Sequence, residues 1–346
     1  MIAIIDFQNQ DIGLKILYPD ADYYILEEQW DRTKLNSKYN ISPIIHKKHA
    51  DVYQTVTSNK YDTLFVIAPL YDVVQNYNGK INVDFFRENT FNKLKETVSL
   101  ISNNKFSTIC FFDNSDYDCD PNIAFKDLSF VKSHNIHFFK RYYNKEKQYE
   151  SNVSPFPYII FGHNCMIDLV TDRSGKDVVE RIPRVFFSGG LFHHIDKVYD
   201  VDRNRIGLYR KLNDKIQIYN PGQLPHEKYM LEMSSSKYCL DLLGAGDPNV
   251  RTFEIMSVGS LRIGQQSNLK WPFPDEFSKE TIFKDENDFI EKITRLETNP
   301  ELYKKSLDKQ NEIVEKYMNL DYIRQYINRI VIKQNDITMY DQEQSI

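Results

Sequence analysis

The chain reads as two α/β domains, each a parallel sheet covered by helices, and three observations carry that reading. Its 346 residues exceed one ordinary core and fit two domains of roughly 150–170 residues each. Short apolar runs alternate with amphipathic stretches, and the alternation restarts past the middle of the chain. Several runs end in polar or glycine-containing loops, and in parallel sheets ligands sit at those carboxyl ends.

In the first half, strands are expected at Ile2–Ile5, Tyr23–Leu26, Thr63–Ile67, Ser107–Phe112 and Ile136–Phe139. Helices are expected at Asp11–Leu17, Ala50–Ser58, Val83–Asn103 and Pro121–Lys132. Ser151–Pro157, with two prolines in a Ser/Asn cluster, reads as a connector, and Thr171–Lys176 as a second break. The second half restarts with a strand at Arg184–Ser188, a helix at Asp202–Leu212, a strand at Ile216–Tyr219 and a helix at Pro225–Ser234. A strand at Lys237–Leu243, a helix at Pro248–Val258 and a strand at Ser260–Gly264 follow, then helices at Glu286–Leu296, Pro300–Met318 and Tyr322–Lys333. The expected division is 1–175, 182–320, a C-terminal helix over 321–334 and a tail over 335–346.

Composition narrows the function classes. Hydrophobic residues make up 41% and charged residues 27%, which suits two buried cores with a solvated surface. A net charge of −5 argues against nucleic acid as a partner, because each phosphate contact wants a Lys or Arg. Cys110, Cys119, Cys165 and Cys239 form no CxxC pair and read as free thiols of a reducing, cytoplasmic compartment. The N-terminal MIAIIDFQNQ has no basic n-region and reads as a strand rather than a signal peptide. No apolar run approaches the roughly 18–20 residues that span a bilayer, so no integral membrane segment is expected.

The densest chemical signal is KYCLDLLGAGDPNVRTFEIMSVGSLRIG, residues 237–264. A strand runs into Gly244-Ala245-Gly246, which lets backbone approach a ligand. Asp247 is a good N-cap, Pro248 suits the first helical position, and Gly259 suits the residue after the helix. Arg251 and Glu254 stand three apart and share a helix face. A helix N-terminus attracts anions, a guanidinium adds a forked cation, and a carboxylate suits a sugar diol. Ribose plus diphosphate matches all three. The plain alternative is an i,i+3 ion pair on a capped helix, worth a few tenths of a kcal/mol.

Ser236-Lys237-Tyr238-Cys239-Leu240, Gly244, Gly246, Arg251-x-x-Glu254 and Gly259-Ser260 together resemble the C-terminal half of exostosin-like and spore-coat CgeB-like glycosyltransferases. The close resemblance covers about thirty residues, with a weaker likeness in layout over Arg184–Arg329. It implies the GT-B fold, two Rossmann-like domains facing each other across a cleft, with the donor bound mainly by the second. It further implies a hexosyl- or pentosyltransferase that moves a sugar from a nucleotide-diphosphate sugar to a glycan or glycoprotein, with that co-substrate and no other cofactor or metal. Glu254 would then hold the donor ribose and Arg251 the diphosphate. Gly189, Gly190 and Arg205 would lie beside the phosphates, and Asn220 near the base in the turn signal Tyr219-Asn220-Pro221-Gly222. The chain departs from the exostosin pattern at Asp241-Leu242-Leu243, where a Pro-Arg-Gly run is usual. An inverting reaction needs a base, and the candidates are the strand-end carboxylates Asp6, Asp72 and Asp113.

Rival signals remain. Residues 113–120 hold Asp-x-Asp twice, so Asp116 and Asp118 are candidate metal ligands of a GT-A-type transferase. A non-catalytic nucleotide-sugar or glycan-binding module would share the same second half. His193-His194 is a loop pair that could meet a phosphate, and His134-x-x-His137 lacks a third ligand and reads as strand core.

Overall fold

The computed structural model describes residues 1–7, 13–26, 45–46, 49–70, 85–115, 119–125, 127–156, 180–188, 200–243 and 250–343. Side chains are described within these ranges except at 45–46, 49–50, 85–89, 200–204 and 333–343. The chain divides into two compact units. One contains Met1–Cys165, Lys270–Pro272 and Ile323–Ile346, the other Met166–Leu269 and Phe273–Tyr322.

The first unit is built on β1 (Ile2–Asp6), α1 (Gly13–Leu17), β2 (Asp22–Ile25), β3 (Ile45–His46), α2 (His49–Ser58), β4 (Thr63–Ala68), α3 (Phe85–Asn103), β5 (Thr108–Asp113), α4 (Leu128–Ser133), β6 (Ile136–Lys140) and β7 (Val153–Pro155). Its strands pair in parallel in the order β3-β2-β1-β4-β5-β6-β7. Strand alternation splits the apolar residues between two faces. Ala3, Ile5, Leu64, Val66, Phe111 and Phe138 pack with Val52 and Val56 of α2, Leu94 and Ile101 of α3 and Val131 of α4. On the other face Phe65, Phe112 and Phe139 run ring to ring at 5.4 and 4.8 Å. Tyr18 meets Phe65 there edge-on at 5.3 Å.

The second unit is built on β8 (Ile182–Phe186), α5 (Asp200–Lys215), β9 (Ile218–Tyr219), α6 (His226–Ser235), β10 (Ser236–Asp241), α7 (Val250–Ser257), β11 (Leu261–Gln265), β12 (Ile282–Phe283), α8 (Glu286–Thr298) and α9 (Pro300–Tyr317). Its five strands are parallel in the order β12-β11-β10-β8-β9. Val185, Tyr238, Leu240, Leu261 and Ile263 pack against α5 and α8 through Leu212, Phe289 and Ile293. Phe186 and Cys239 pack on the opposite face against Met233 of α6 and Ile255 of α7. Arg181 closes the far ends of both helices by donating to the Ser234 and Val258 carbonyls at 2.7 and 3.1 Å.

The last helix, α10 (Leu320–Glu343), returns to the first unit. Arg324 donates to the Leu17 carbonyl at 2.9 Å, Asn328 accepts from the Tyr18 hydroxyl at 2.9 Å, and Tyr326 donates to the Pro155 carbonyl at 2.8 Å. This helix continues to Glu343 through the stretch expected to be a tail, because nothing from Asn335 to Glu343 is Gly or Pro. The expected helix Pro121–Lys132 is a 3-10 turn, Pro121–Ala124, followed by α4, because Asp127 caps a new helix by accepting from the Ser129 and Phe130 N–H groups. The expected connector contains β7, an edge strand where the missing N–H of Pro155 is tolerated.

Candidate functional site

The second sheet reverses direction between β8 and β10: the chain leaves β8 toward β9 and leaves β10 toward β11. Such a switch point opens a crevice beyond the carboxyl ends of the two strands. Phe187 and Ser188 follow β8, and Leu242 and Leu243 follow β10. Helix α7 ends at Gly259 with φ +71°, a left-handed cap that glycine adopts freely, as the sequence pattern anticipates.

Arg251 lies in the first turn of α7, its guanidinium 4.7 Å from the centre of the Phe187 ring. Arg205, from α5, approaches the same ring at 6.0 Å. Two cations therefore approach one aromatic ring beside the switch point. The Nε and Nη1 atoms of Arg251 are buried with no hydrogen-bond partner among the described residues. A buried cationic donor without a partner is costly, so the arrangement suits an anion.

Glu254, one turn further along α7, is 9% exposed. It does not pair with Arg251, so the i,i+3 ion pair is not what this spacing builds. One carboxylate oxygen, Oε2, accepts from the Tyr229 hydroxyl at 2.9 Å, and Oε1 lies 3.6 Å from Nε2 of His226. Both partners sit on α6. Burial raises the Glu254 carboxyl above its ordinary value, against the hydrogen bond from Tyr229 and the nearby His226 and Arg251. The Tyr229 hydroxyl is raised well above its ordinary value, by burial first and by the Glu254 charge second.

Asp241 ends β10 and is 3% exposed. Its Oδ2 accepts from the Thr252 hydroxyl at 2.7 Å and from Arg262 Nε at 2.6 Å. Burial alone would raise this carboxyl, yet Arg262, the Thr252 hydroxyl and Arg251 together hold it below the usual carboxylate range.

The remaining expected residues fall as follows. Asn220 is engaged in a turn: its Oδ1 accepts from Gly222 N–H at 3.0 Å and its amide donates to Tyr209 at 3.1 Å, with Gly222 at φ +78°. Asp6 is buried and accepts from the Tyr23 hydroxyl at 2.6 Å. Asp113 is buried, taking Lys140 Nζ at 2.7 Å on Oδ2 and the N–H groups of Leu70 and Ser115, each at 3.1 Å, on Oδ1. Asp72, Asp116, Asp118, Gly189, Gly190, His193, His194, Gly244, Gly246 and Asp247 lie outside the described residues. His137 is 3% exposed, and burial lowers its imidazole to about 4, so it is a neutral member of the core. Among the described residues no group of three or more His, Cys, Asp or Glu is placed to hold a metal ion. No helix among them is long and apolar enough to cross a membrane.

Sequence reasoning missed Tyr229, His226, Phe187 and the Asp241–Arg262 pair as site residues. Their only sequence signal is position, one residue past β8, on the helix before β10, or at the ends of β10 and β11.

Residues 190–327 match a family model described as glycosyl transferase-like. No curated protein matches the sequence. Among solved structures the chain is similar to Anabaena HepE in complex with UDP, at 10% identity and a TM-score of 0.51, over 96% of this chain and 99% of that one. It is also similar to T4 phage BGT in complex with UDP and Mn2+, at 12% identity and a TM-score of 0.48, over 95% of this chain and 99% of that one. The fold is that of GT-B glycosyltransferases, two Rossmann-like units in one chain, and the glycosyl transferase-like match falls mostly within the second unit.

Proposed function

We propose that the protein is a glycosyltransferase that binds a nucleoside diphosphate sugar at the switch point of its second sheet. The observation that carries this reading is Arg251, whose buried Nε and Nη1, beside Phe187, lack a hydrogen-bond partner among the described residues. In the reading, Arg251 and the N-terminal end of α7 take the diphosphate, with Arg205 adding charge, and Glu254 takes the ribose diol. The glycosyl transferase-like match over the same unit supports it, and so does the spacing shared with exostosin-like and CgeB-like enzymes. HepE was solved with UDP, which makes UDP the first probe.

Chemically, the fixed cations stabilise the negative charge that develops on the leaving nucleoside diphosphate. They act in a partly desolvated crevice, where each interaction counts for more than in water. The acceptor, a glycan or glycoprotein, is assigned to the first unit. There Asp6, Asp72 and Asp113 are the candidate bases, and Asp113 is the least suited of those described, because its two oxygens already take three donors.

A thermal-shift titration tests the reading. At a hundredfold excess over Kd, UDP or UDP-glucose should add about 2.7 kcal/mol, several degrees of melting temperature. Arg251→Ala should abolish most of that shift. If no nucleotide or nucleotide sugar raises the melting temperature at saturation, the reading fails.

A further inference from the structure

The donor cation Arg251 keeps Nε and Nη1 without a hydrogen-bond partner among the described residues, although a buried carboxylate, Asp241, lies near enough for their charges to interact. Something must hold Asp241 away from it. Two described contacts do so. Asp241 Oδ2 takes Arg262 Nε at 2.6 Å, and it takes the hydroxyl of Thr252, the residue after Arg251, at 2.7 Å.

Strand register explains how these groups meet. Cys239 stands opposite Arg262 and Asp241 opposite Gly264 on the parallel neighbours β10 and β11. Arg262 must therefore run forward along its strand to reach Asp241, and it does so over Gly264. A Cβ on Gly264 would collide with the guanidinium atoms Cζ, Nη1 and Nη2 of Arg262. Gly264 is thus the opening through which Arg262 reaches the carboxylate. Its φ is unremarkable, so the need is for space and not for backbone freedom.

From this arrangement we infer that Asp241 is a positioning residue for the donor site. It tethers the first turn of α7 through the Thr252 hydroxyl, with its charge occupied by Arg262, so that Arg251 is both aimed and left free for an anion. Gly264 is the residue that permits the pairing. The inference rests on the assignment of Arg251 to the donor diphosphate.

Two separate perturbations test it with UDP as the ligand and calorimetric Kd as the readout. Thr252→Val removes the tether at nearly constant volume and should weaken UDP about tenfold, the worth of one hydrogen bond to a charged group. Thr252→Ser keeps the hydroxyl and should stay within about twofold of the wild type, which separates the tether from packing. Gly264→Ala displaces Arg262 and frees Asp241 to turn toward Arg251. It should weaken UDP by at least as much as Thr252→Val, raising KM for UDP-glucose hydrolysis more than it lowers kcat.

Circular dichroism and melting temperature confirm folding. If Gly264→Ala does not fold, the Thr252 pair decides alone. Loss of UDP affinity in Arg251→Ala, with wild-type affinity in both Thr252→Val and Gly264→Ala, overturns the clamp and leaves the donor site standing. Equal UDP affinity in wild type and Arg251→Ala overturns the donor assignment and the clamp with it.

Discussion

Asp113 in the first sheet and Arg251 in the second are charged residues of similar address: one ends a strand at the carboxyl edge of its sheet, the other opens the helix that follows such an edge. Their surroundings are opposite. Asp113 is met by a buried lysine and two backbone N–H groups, so every part of its charge is answered inside the unit. Arg251 lies over an aromatic ring, and two of its nitrogens are buried with no hydrogen-bond partner among the described residues. A satisfied buried charge holds a fold together, and an unsatisfied one waits for a ligand. The contrast separates structural from functional polarity within one chain, where residue type and position alone would not.

The largest expected effect breaks the satisfied side. Lys140→Ala leaves the Asp113 carboxylate buried without its cation, both side chains being fully buried. It should lower stability by about 3–5 kcal/mol in urea unfolding. Arg251→Ala should change stability by less than about 1 kcal/mol in the same assay, because Asp241 and Glu254, the carboxylates its charge reaches, keep hydrogen bonds of their own. Similar losses in both variants would erase the distinction.

How far the sequence shows this contrast follows from its physical scale. The alternation of strands and helices is visible because period-two and period-3.6 patterns are local. Arg251 and Glu254 are visible because three-residue spacing puts them on one helix, and Gly259 because a cap needs a left-handed residue. What is not visible is whom each residue meets. Tyr229 reaches Glu254 across 25 residues, and Arg262 reaches Asp241 across 21, both set by parallel register and helix packing. Lys140 meets Asp113 for the same reason, as cross-strand partners of β5 and β6. Composition could not tell that one candidate base was already locked in an ion pair. Small elements escaped as well: β3 has two residues and β7 three, too short for a periodicity to emerge.

An intermediate effect sharpens the unsatisfied side through pH. Burial raises the Glu254 carboxyl, with His226 and Tyr229 facing it from α6 and Arg251 from its own helix. The folded protein then holds this proton more tightly than the unfolded chain. Stability from this group is therefore present below the unfolded value of about 4.3 and is lost as pH rises through the higher folded value. Glu254→Gln removes that slope. Its stability relative to the wild type should rise with pH across this window, measured by urea unfolding at a series of pH values. The ionised carboxylate is also the better acceptor for a ribose diol. The ratio of UDP affinities, wild type over Glu254→Gln, should therefore climb over the same window. A ratio that stays flat would detach Glu254 from the ligand.

The smallest effect tests whether α6 shapes the site or only covers it. Tyr229→Phe keeps the ring and its contact with Phe186, whose centroid is 5.9 Å away, and removes only the hydroxyl that donates to Glu254 Oε2. The carboxylate then loses its described hydrogen-bond donor and can rotate toward His226. Loss of a donor to the charged form should raise the Glu254 carboxyl further, moving the pH dependence of UDP binding upward. At neutral pH the expected weakening of UDP is three- to tenfold, about 1 kcal/mol, with KM for the donor rising and kcat nearly constant. Unchanged affinity together with an unchanged pH profile would reduce Tyr229 to packing and leave His226 as the α6 residue facing Glu254.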